Sequence, residues 1–285
     1  MKPAPFKYYA PRTLEEAAGM LAEVAPCEGR VLAGGQSLVP AMALRLARPA
    51  HLVDINGVKA FERVAVESGE LVIGACVRHA IFHRAVENGP LGMLLSAVAP
   101  HIAHLPIRTR GTFCGSLANA DPASEWCIVA ITLNATMVAR SVRGTRIIRA
   151  ADFFRGTMTT ALEVDELLAE ARIPLLASDT RFGFAEYSRR AGDFAIAMAL
   201  TSYRLHKGVM TEPCVGIGGV EGMPRRIAQA EAVLEGKCPG DDAFREAAEV
   251  VARIIDPLED IRYPASYKRK VAAGMTRRAL ERAAA

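Results

Sequence analysis

No Cys-x-x-Cys pair occurs among the six cysteines, which are scattered at positions 27, 76, 114, 127, 214 and 238. That scatter argues against a zinc site, an iron–sulfur cluster carried by this chain and a disulfide framework. No apolar run approaches the ~18 residues of a membrane span. The opening Met1 to Tyr9 lacks the apolar stretch of a secretion signal, so a cytoplasmic location is expected. The net charge is only +4 over 285 residues, and no basic run is interleaved with aromatics, which argues against nucleic-acid binding. Neither G-x-x-x-x-G-K-[ST] nor G-x-G-x-x-G appears, so the chain has neither a P-loop nor a Rossmann fingerprint. Histidines 79 and 83, and 101 and 104, have helical spacing. Neither pair has a Cys or carboxylate placed as a third ligand, so no metal centre is expected. No Ser–His–Asp arrangement can be argued from spacing.

What is present is an ordinary globular composition, 51% apolar and 23% charged, long enough for two domains. Thr13-Leu14-Glu15-Glu16 has capping-box spacing and predicts a helix over 13–24. Strands are predicted at 30–33, 52–55, 71–75 and 167–173. A helix is predicted from Leu38 to Leu46, with Ser37 as its cap and Pro40 in its first turn. Residues 77 to about 104 predict two helices broken near Asn88-Gly89-Pro90, and 151–154 a short one. A break at Ala177-Ser178-Asp179 predicts the main domain boundary. Beyond it, 182–187 and 194–205 predict strands or a strand and a helix, Lys207-Gly208 a hairpin turn, and 214–220 a strand. Helices at 225–235, 242–255 and 264–284 close the chain. The order of elements predicts an α+β protein.

Two stretches carry more than core and turn chemistry. Val31-Leu32-Ala33-Gly34-Gly35-Gln36-Ser37-Leu38 runs from a strand through two glycines into a helix start, a pattern whose N–H groups suit an anion. A strand-to-helix turn without a ligand is the competing reading. The second, Arg110 to Glu125, sets Thr112, Ser116, Asp121, Ser124 and Glu125 among the small residues Gly111, Gly115 and Ala118, behind Arg108 and Arg110. Small residues let a backbone lie against a phosphate-bearing ligand. The two stretches are expected to close on one cofactor. Gly216 to Gly222 has the wrong spacing for a dinucleotide site and reads as a buried strand entering a turn. Arg189-Arg190-Ala191-Gly192-Asp193 fits a surface turn, a cofactor contact or a partner contact equally well.

With both stretches in view, the chain resembles the FAD-binding medium subunits of the molybdenum hydroxylases from end to end. The resemblance is carried by Ala33-Gly34-Gly35-Gln36-Ser37-Leu38-x-Pro40, Ile107-Arg108-x-Arg110-Gly111-Thr112, Gly115-Ser116-Leu117-Ala118-x-Ala120-Asp121-Pro122 and Arg189-Arg190-x-Gly192-Asp193-Phe194-Ala195. It implies an FAD-binding fold of the vanillyl-alcohol-oxidase type over 1–177, in subdomains of about 1–56 and 57–177. A carboxy-terminal domain of antiparallel sheet and helices would then fill 178–285. It also implies that Val31 to Leu38 wraps the FAD pyrophosphate, and that Thr112, Phe113, Cys114, Gly115 and Ser116 meet it from the other side. Glu125 and Leu168 would lie near the ring. A molybdenum-cofactor subunit and a small [2Fe–2S] subunit are the implied partners, in a heterotrimer that dimerises. This chain would pass electrons to an external acceptor, with no side chain needed as a general acid or base. A free-standing flavin oxidoreductase, or a regulatory module that has lost its flavin, are the alternatives. Two departures stand out. Cys114 replaces the first glycine of Thr-x-Gly-Gly, which places a thiol where it can approach the flavin. Glu186 stands where many members carry a lysine near the flavin, so a carboxylate there disfavours a negatively charged reduced ring.

Overall fold

The computed structural model describes residues 2–285. From the amino terminus come strand β1 (Lys7–Tyr9), helix α1 (Leu14–Val24), β2 (Gly29–Leu32), α2 (Leu38–Ala43) and β3 (His51–Asp54). Then follow β4 (Val64–Glu67), β5 (Glu70–Gly74), α3 (Pro90–Val98), α4 (Leu105–Arg108), α5 (Phe113–Asn119) and α6 (Glu125–Thr132). Next are β6 (Thr136–Ser141), β7 (Gly144–Arg149), α7 (Ala150–Phe153), the small hairpin of β8 (Phe154–Gly156) and β9 (Thr159–Thr160), and β10 (Leu167–Pro174). The chain ends with β11 (Arg181–Tyr187), β12 (Ala197–His206), β13 (Val209–Gly218), β14 (Arg225–Arg226), α8 (Ala228–Leu234), α9 (Asp241–Ile254) and α10 (Ala265–Ala284).

Three sheets organise these elements. β1, β3 and β2 pair in parallel in that order. β4-β5-β10-β6-β7 is antiparallel, as is β11-β12-β13-β14. Strand alternation sends Met198 and Leu200 of the third sheet into the larger core, while Ala197, Ala199 and Tyr203 face the helices behind it. At the centre of the larger core, Trp126 lies 4.9 Å from Phe113 and 5.2 Å from Phe82, ring centre to ring centre. The second core lies between the third sheet and helices α8 to α10, where Phe244, Val251 and Leu280 are buried. Removing each such side chain from water contributes about 1.5–3 kcal/mol.

Local signals act as read at α1, where the Thr13 hydroxyl accepts the Glu16 N–H at 3.1 Å. The Glu16 carboxylate reaches back to the Arg12 N–H at 2.7 Å rather than to that of the cap residue. Lys207 and Gly208 both take positive φ, 51° and 83°, and turn β12 into β13. Elsewhere tertiary partners override periodicity. The first of the two helices expected between 77 and 104 does not form, because Arg78 pairs with Thr112 and the His79 N–H donates to Gly111. Only a 3₁₀ turn at His79–His83 remains before α3. Residues after Thr112 form α5, and the apolar segment 127–138 divides between α6 and β6. Residues 194–205 join the sheet as β12 from Ala197 onward. α2 stops at Ala43, and Arg45 turns left-handed at φ 59°.

Close approach of backbone explains Gly183. A Cβ there would overlap the Ala279 carbonyl oxygen and stand 2.8 Å from the Ala283 nitrogen, where α10 crosses β11. Gly183→Ala is therefore expected to cost about 1–3 kcal/mol of stability, read as a lower denaturation midpoint. An unchanged midpoint would mean that α10 shifts freely, against this packing.

Candidate functional site

The site begins where β2 runs out. Gly35 takes φ 72°, which glycine adopts without strain, and its carbonyl accepts the Val39 N–H at 3.0 Å. The Gln36 side-chain amide donates to the Gly34 carbonyl at 3.0 Å, closing the turn on itself. Within the described residues, the backbone N–H groups of Gly34, Gly35, Gln36 and Ser37 have no acceptor. Four neighbouring donors are thus free for a ligand. Ser37 precedes α2 as expected, but its hydroxyl makes no capping bond.

The second stretch lies directly against this turn. A Cβ on Gly34 would stand 2.5 Å from the Arg110 carbonyl oxygen and 2.7 Å from the Gly111 Cα. The structure therefore brings Gly34 of the first stretch against Arg110 and Gly111, the residues that lead into Thr112 to Ser116. A relay of side chains ties them. Asn56 Nδ2 donates to the Ala33 carbonyl at 2.8 Å, and Arg78 Nη2 donates to Asn56 Oδ1 at 2.6 Å. The same guanidinium donates to the Arg110 carbonyl. Asp54 in turn accepts from Asn56 Nδ2 and from the Tyr8 hydroxyl, at 2.5 Å each. Sequence reasoning missed Asn56 and Arg78. The one hint in the sequence is the position of Asn56, just past a strand and before Gly57, a dipeptide common in turns.

Thr112 caps α5. Its hydroxyl accepts the Gly115 N–H at 3.0 Å, and a Cβ on Gly115 would stand 2.6 Å from that oxygen. Phe113 and Cys114 are buried beneath the helix start, whereas Ser116 is half-buried. Cys114 has ordinary helical backbone, so its replacement of glycine strains nothing. Its thiol is not presented to a ligand. The sulfur points into the core at 3.4 Å from the Ile73 carbonyl, and burial pushes its pKa well above the usual range, leaving it unreactive. Asp121 also turns inward to structure, accepting the Ala123 N–H at 2.9 Å.

His79 joins the cradle to α6. Its Nδ1 accepts the Trp126 indole N–H at 2.9 Å, which leaves the ring proton on Nε2. That Nε2 would lie 2.6 Å from a Cβ on Gly111. One imidazole thus spans from Gly111 to the residue after Glu125. Burial, reinforced by Arg78 and Arg108, holds its pKa at about 3, so the ring is neutral. His83 accepts from Arg108 Nε at 2.9 Å, and Arg108 also donates to the Ile102 and Ala103 carbonyls. Arg108 is therefore a structural clamp. Among the described residues no three His, Cys, Asp or Glu side chains gather as a metal site.

Glu125 opens α6 with only 8% exposure, and burial first, then Asp121, raises its pKa to about 7. Glu186 on β11 has a side chain 3% exposed, raised to about 8 by burial and by the charge of Glu125. The carboxylate expected there is in fact a protonated acid at neutral pH. Both groups bind protons more tightly folded than unfolded. Their contribution to stability is therefore complete below about pH 4.5 and is lost as pH rises through 7 to 8. Denaturant midpoints at about pH 5 and about pH 8.5 should show this fall, and Glu186→Gln should flatten it. Leu168 sits 7% exposed at the bulge of β10, the strand that packs under α5. The loop of Arg189 to Asp193 docks on His104, since a Cβ on Gly192 would stand 2.5 Å from that ring. Gly218 meets the Pro122 carbonyl, and Gly219 donates to it at 2.8 Å, so the 216–222 stretch is structural as read.

The arrangement offers free N–H donors where two glycine-containing turns meet, and suits the phosphate of a ligand. A family model described as the FAD binding domain in molybdopterin dehydrogenase matches residues 4–176. The chain belongs to this family. A second, the CO dehydrogenase flavoprotein C-terminal domain, matches residues 182–283. The chain is 35% identical to caffeine dehydrogenase subunit beta of Pseudomonas sp. (strain CBB1), over all of this chain and 96% of that one. It is 32% identical to the carbon monoxide dehydrogenase medium chain of Hydrogenophaga pseudoflava, over 99% and 98%. Quinoline 2-oxidoreductase from Pseudomonas putida 86 superposes with a TM-score of 0.92 at 34% identity, covering 100% of this chain and 99% of that one. As a member of the molybdopterin dehydrogenase flavoproteins, the chain is an oxidoreductase component with FAD as its cofactor. Its fold is the FAD-binding fold of the vanillyl-alcohol-oxidase type followed by an antiparallel sheet with helices. No helix among the described residues is long and apolar enough to cross a membrane.

Proposed function

We propose that this chain is the electron-transfer subunit of a molybdenum-containing hydroxylase. It would take electrons from a small [2Fe–2S] subunit and deliver them to an external acceptor, while a large molybdenum-cofactor subunit oxidises substrate. The observation that carries the reading is the contact of Gly34 with Arg110 and Gly111, beside four unpaired backbone donors. Those residues fit a diphosphate, because only glycine permits the approach and free N–H groups take the place of its water. FAD, once bound, supplies the redox chemistry, and the protein supplies binding, orientation and electrostatics.

In this reading Val31 to Leu38 holds the pyrophosphate from one side, and Thr112 to Ser116 from the other. Asn56 and Arg78 keep the two turns at the distance the ligand needs. Glu125 bounds the ring end, and Leu168 supplies an apolar wall near it. The chain divides into an FAD-binding domain over 1–177, in subdomains of about 1–56 and 57–177, and a carboxy-terminal domain over 178–285. The relatives' names, which include a medium chain and a subunit beta of dehydrogenases, support partner subunits, and the assembly proposed is a heterotrimer that dimerises.

The test is purification of the chain from its native host. Co-elution with chains containing molybdenum and iron, together with the visible absorbance of bound flavin, is the expected result. A monomer that turns over a substrate unaided would contradict the subunit role.

A further inference from the structure

Three glycines at and just past the end of β13 meet α6 or the turn that leads into it. A Cβ on Gly216 would overlap the Thr132 hydroxyl, and would stand 3.0 Å from the Thr132 Cβ and 3.3 Å from Ile128 Cγ1. A Cβ on Gly218 would stand 3.3 Å from the Pro122 carbonyl oxygen, to which the Gly219 N–H donates at 2.8 Å. The third sheet thus touches α6 at its last turn and just before its first. Gly216 lies opposite Leu200 of β12, which is buried in the larger core, so α6 rests on that face of the sheet. Thr132 Oγ1 is wholly covered and has no hydrogen-bond partner, so the residue acts here through its shape.

The other end of α6 is tied to the cradle. Trp126, in its first turn, donates its indole N–H to His79 Nδ1 at 2.9 Å. His79 donates its backbone N–H to the Gly111 carbonyl at 3.0 Å, and its ring fills the space that a Gly111 side chain would need. Gly34 of the facing turn abuts the same residue, with 2.7 Å between its would-be Cβ and the Gly111 Cα. Between these ends α6 has no slack. Seven of its eight residues are buried, and a close-packed interior transmits a displacement rather than absorbing it. The helix also keeps its length, because its backbone hydrogen bonds fix the rise per residue.

We propose that the third sheet sets the separation of the two cradle turns through α6, and that Gly216 is a positioning residue for FAD. This rests on the reading of the cradle as the FAD phosphate site. Only glycine lets the last turn of α6 sit against β13 at this depth. A side chain there pushes α6 off the sheet, the push passes along the helix to Trp126 and His79, and Gly111 shifts against Gly34. The free donors of the Gly34 turn then meet the phosphates at altered distances. The glycine run of β13 therefore serves cofactor binding while acting only through α6.

The test is titration of apo-protein with FAD, followed by flavin fluorescence, alongside denaturant melts of each full-length variant. Gly216→Ala is expected to raise the FAD Kd ~10-fold, the worth of one hydrogen bond to a charged phosphate. Thr132→Ala removes the overlapping oxygen, so adding it to Gly216→Ala should restore most of the lost affinity. Val251→Ala controls for stability alone. It opens the second core behind the sheet and should lower the melt midpoint with Kd unchanged. Gly218→Ala is a gentler push in the same place, because its methyl meets the flexible end of Met198 as well as Pro122, and should raise Kd less. If Gly216→Ala does not fold, Gly218→Ala decides the question. Unchanged Kd in the glycine variants, or an equal rise in Val251→Ala, would overturn the proposal. So would a double variant as weak as Gly216→Ala alone. Failure of wild-type protein to bind FAD would overturn the cradle assignment instead.

Discussion

Gly34→Ala is expected to reduce FAD affinity by ~100-fold or more while leaving a folded protein. The added methyl meets backbone on the opposing turn, at 2.5 Å from the Arg110 oxygen and 2.7 Å from the Gly111 Cα. Neither atom belongs to a side chain that can swing away, so the two turns must part. A displacement of that size weakens the hydrogen bonds that free N–H groups would make to phosphate. Each is worth about 1.5–3 kcal/mol when its acceptor is charged. Losing two gives a factor of ~100 or more at 1.4 kcal/mol per tenfold. The direct cost to stability is smaller, about 1–3 kcal/mol for an overpacked position. Gly274 is the control: it is exposed on α10 with nothing near a would-be Cβ. Gly274→Ala should leave FAD binding as it is and raise stability by up to ~1 kcal/mol. FAD titration and denaturant melts of both variants check the pair. Unchanged affinity in Gly34→Ala would remove the contact on which the cradle rests.

Trp126→Ala is expected to be the most damaging single change to the fold. The side chain is fully buried against Phe82 and Phe113, and truncating such a residue costs about 3–5 kcal/mol. His79 Nδ1 also loses its donor, which adds about 1–3 kcal/mol for a buried acceptor left unpaired. Against a typical total of about 5–15 kcal/mol, that sum leaves little or no folded protein at 37 °C. Trp126→Phe separates the two contributions, since it retains most of the ring volume but no N–H. Its loss should be confined to the smaller figure. Because His79 sits beneath Gly111, the Phe variant should also bind FAD less tightly than its stability alone explains. Equal stability of wild type and Trp126→Phe would show that the indole hydrogen bond contributes nothing.

The parts legible in the sequence were those set by local chemistry. Thr13 and Glu16 marked α1, Lys207-Gly208 marked a turn, and the two glycine stretches marked where backbone meets backbone at Gly34 and Gly111. Helix α2 came out shorter than its periodicity, because nothing in six or seven apolar residues reveals that Arg45 turns left-handed. The missing helix around His79 has the same origin: its backbone partner, Gly111, lies 32 residues away. Cys114 was visible as an oddity, but only packing against Ile73 shows that its sulfur turns inward. Asn56 and Arg78 were illegible for a plainer reason. A polar residue after a strand has many possible partners, and only the fold selects Ala33 and Arg110. Glu186 was singled out from the sequence as a charge, yet burial makes it an acid.

The relay from Ala33 through Asn56 and Arg78 to Arg110 uses protein atoms alone. The loops we propose for the cofactor site therefore lose their conformational freedom when the chain folds, not when FAD arrives. Association then has little disorder left to remove at this point. Release follows the same logic. Warming should not free the flavin gradually through a loosening mouth. It should retain the flavin until the relay melts with the sheet that supports it, and colour and fold should disappear in one transition.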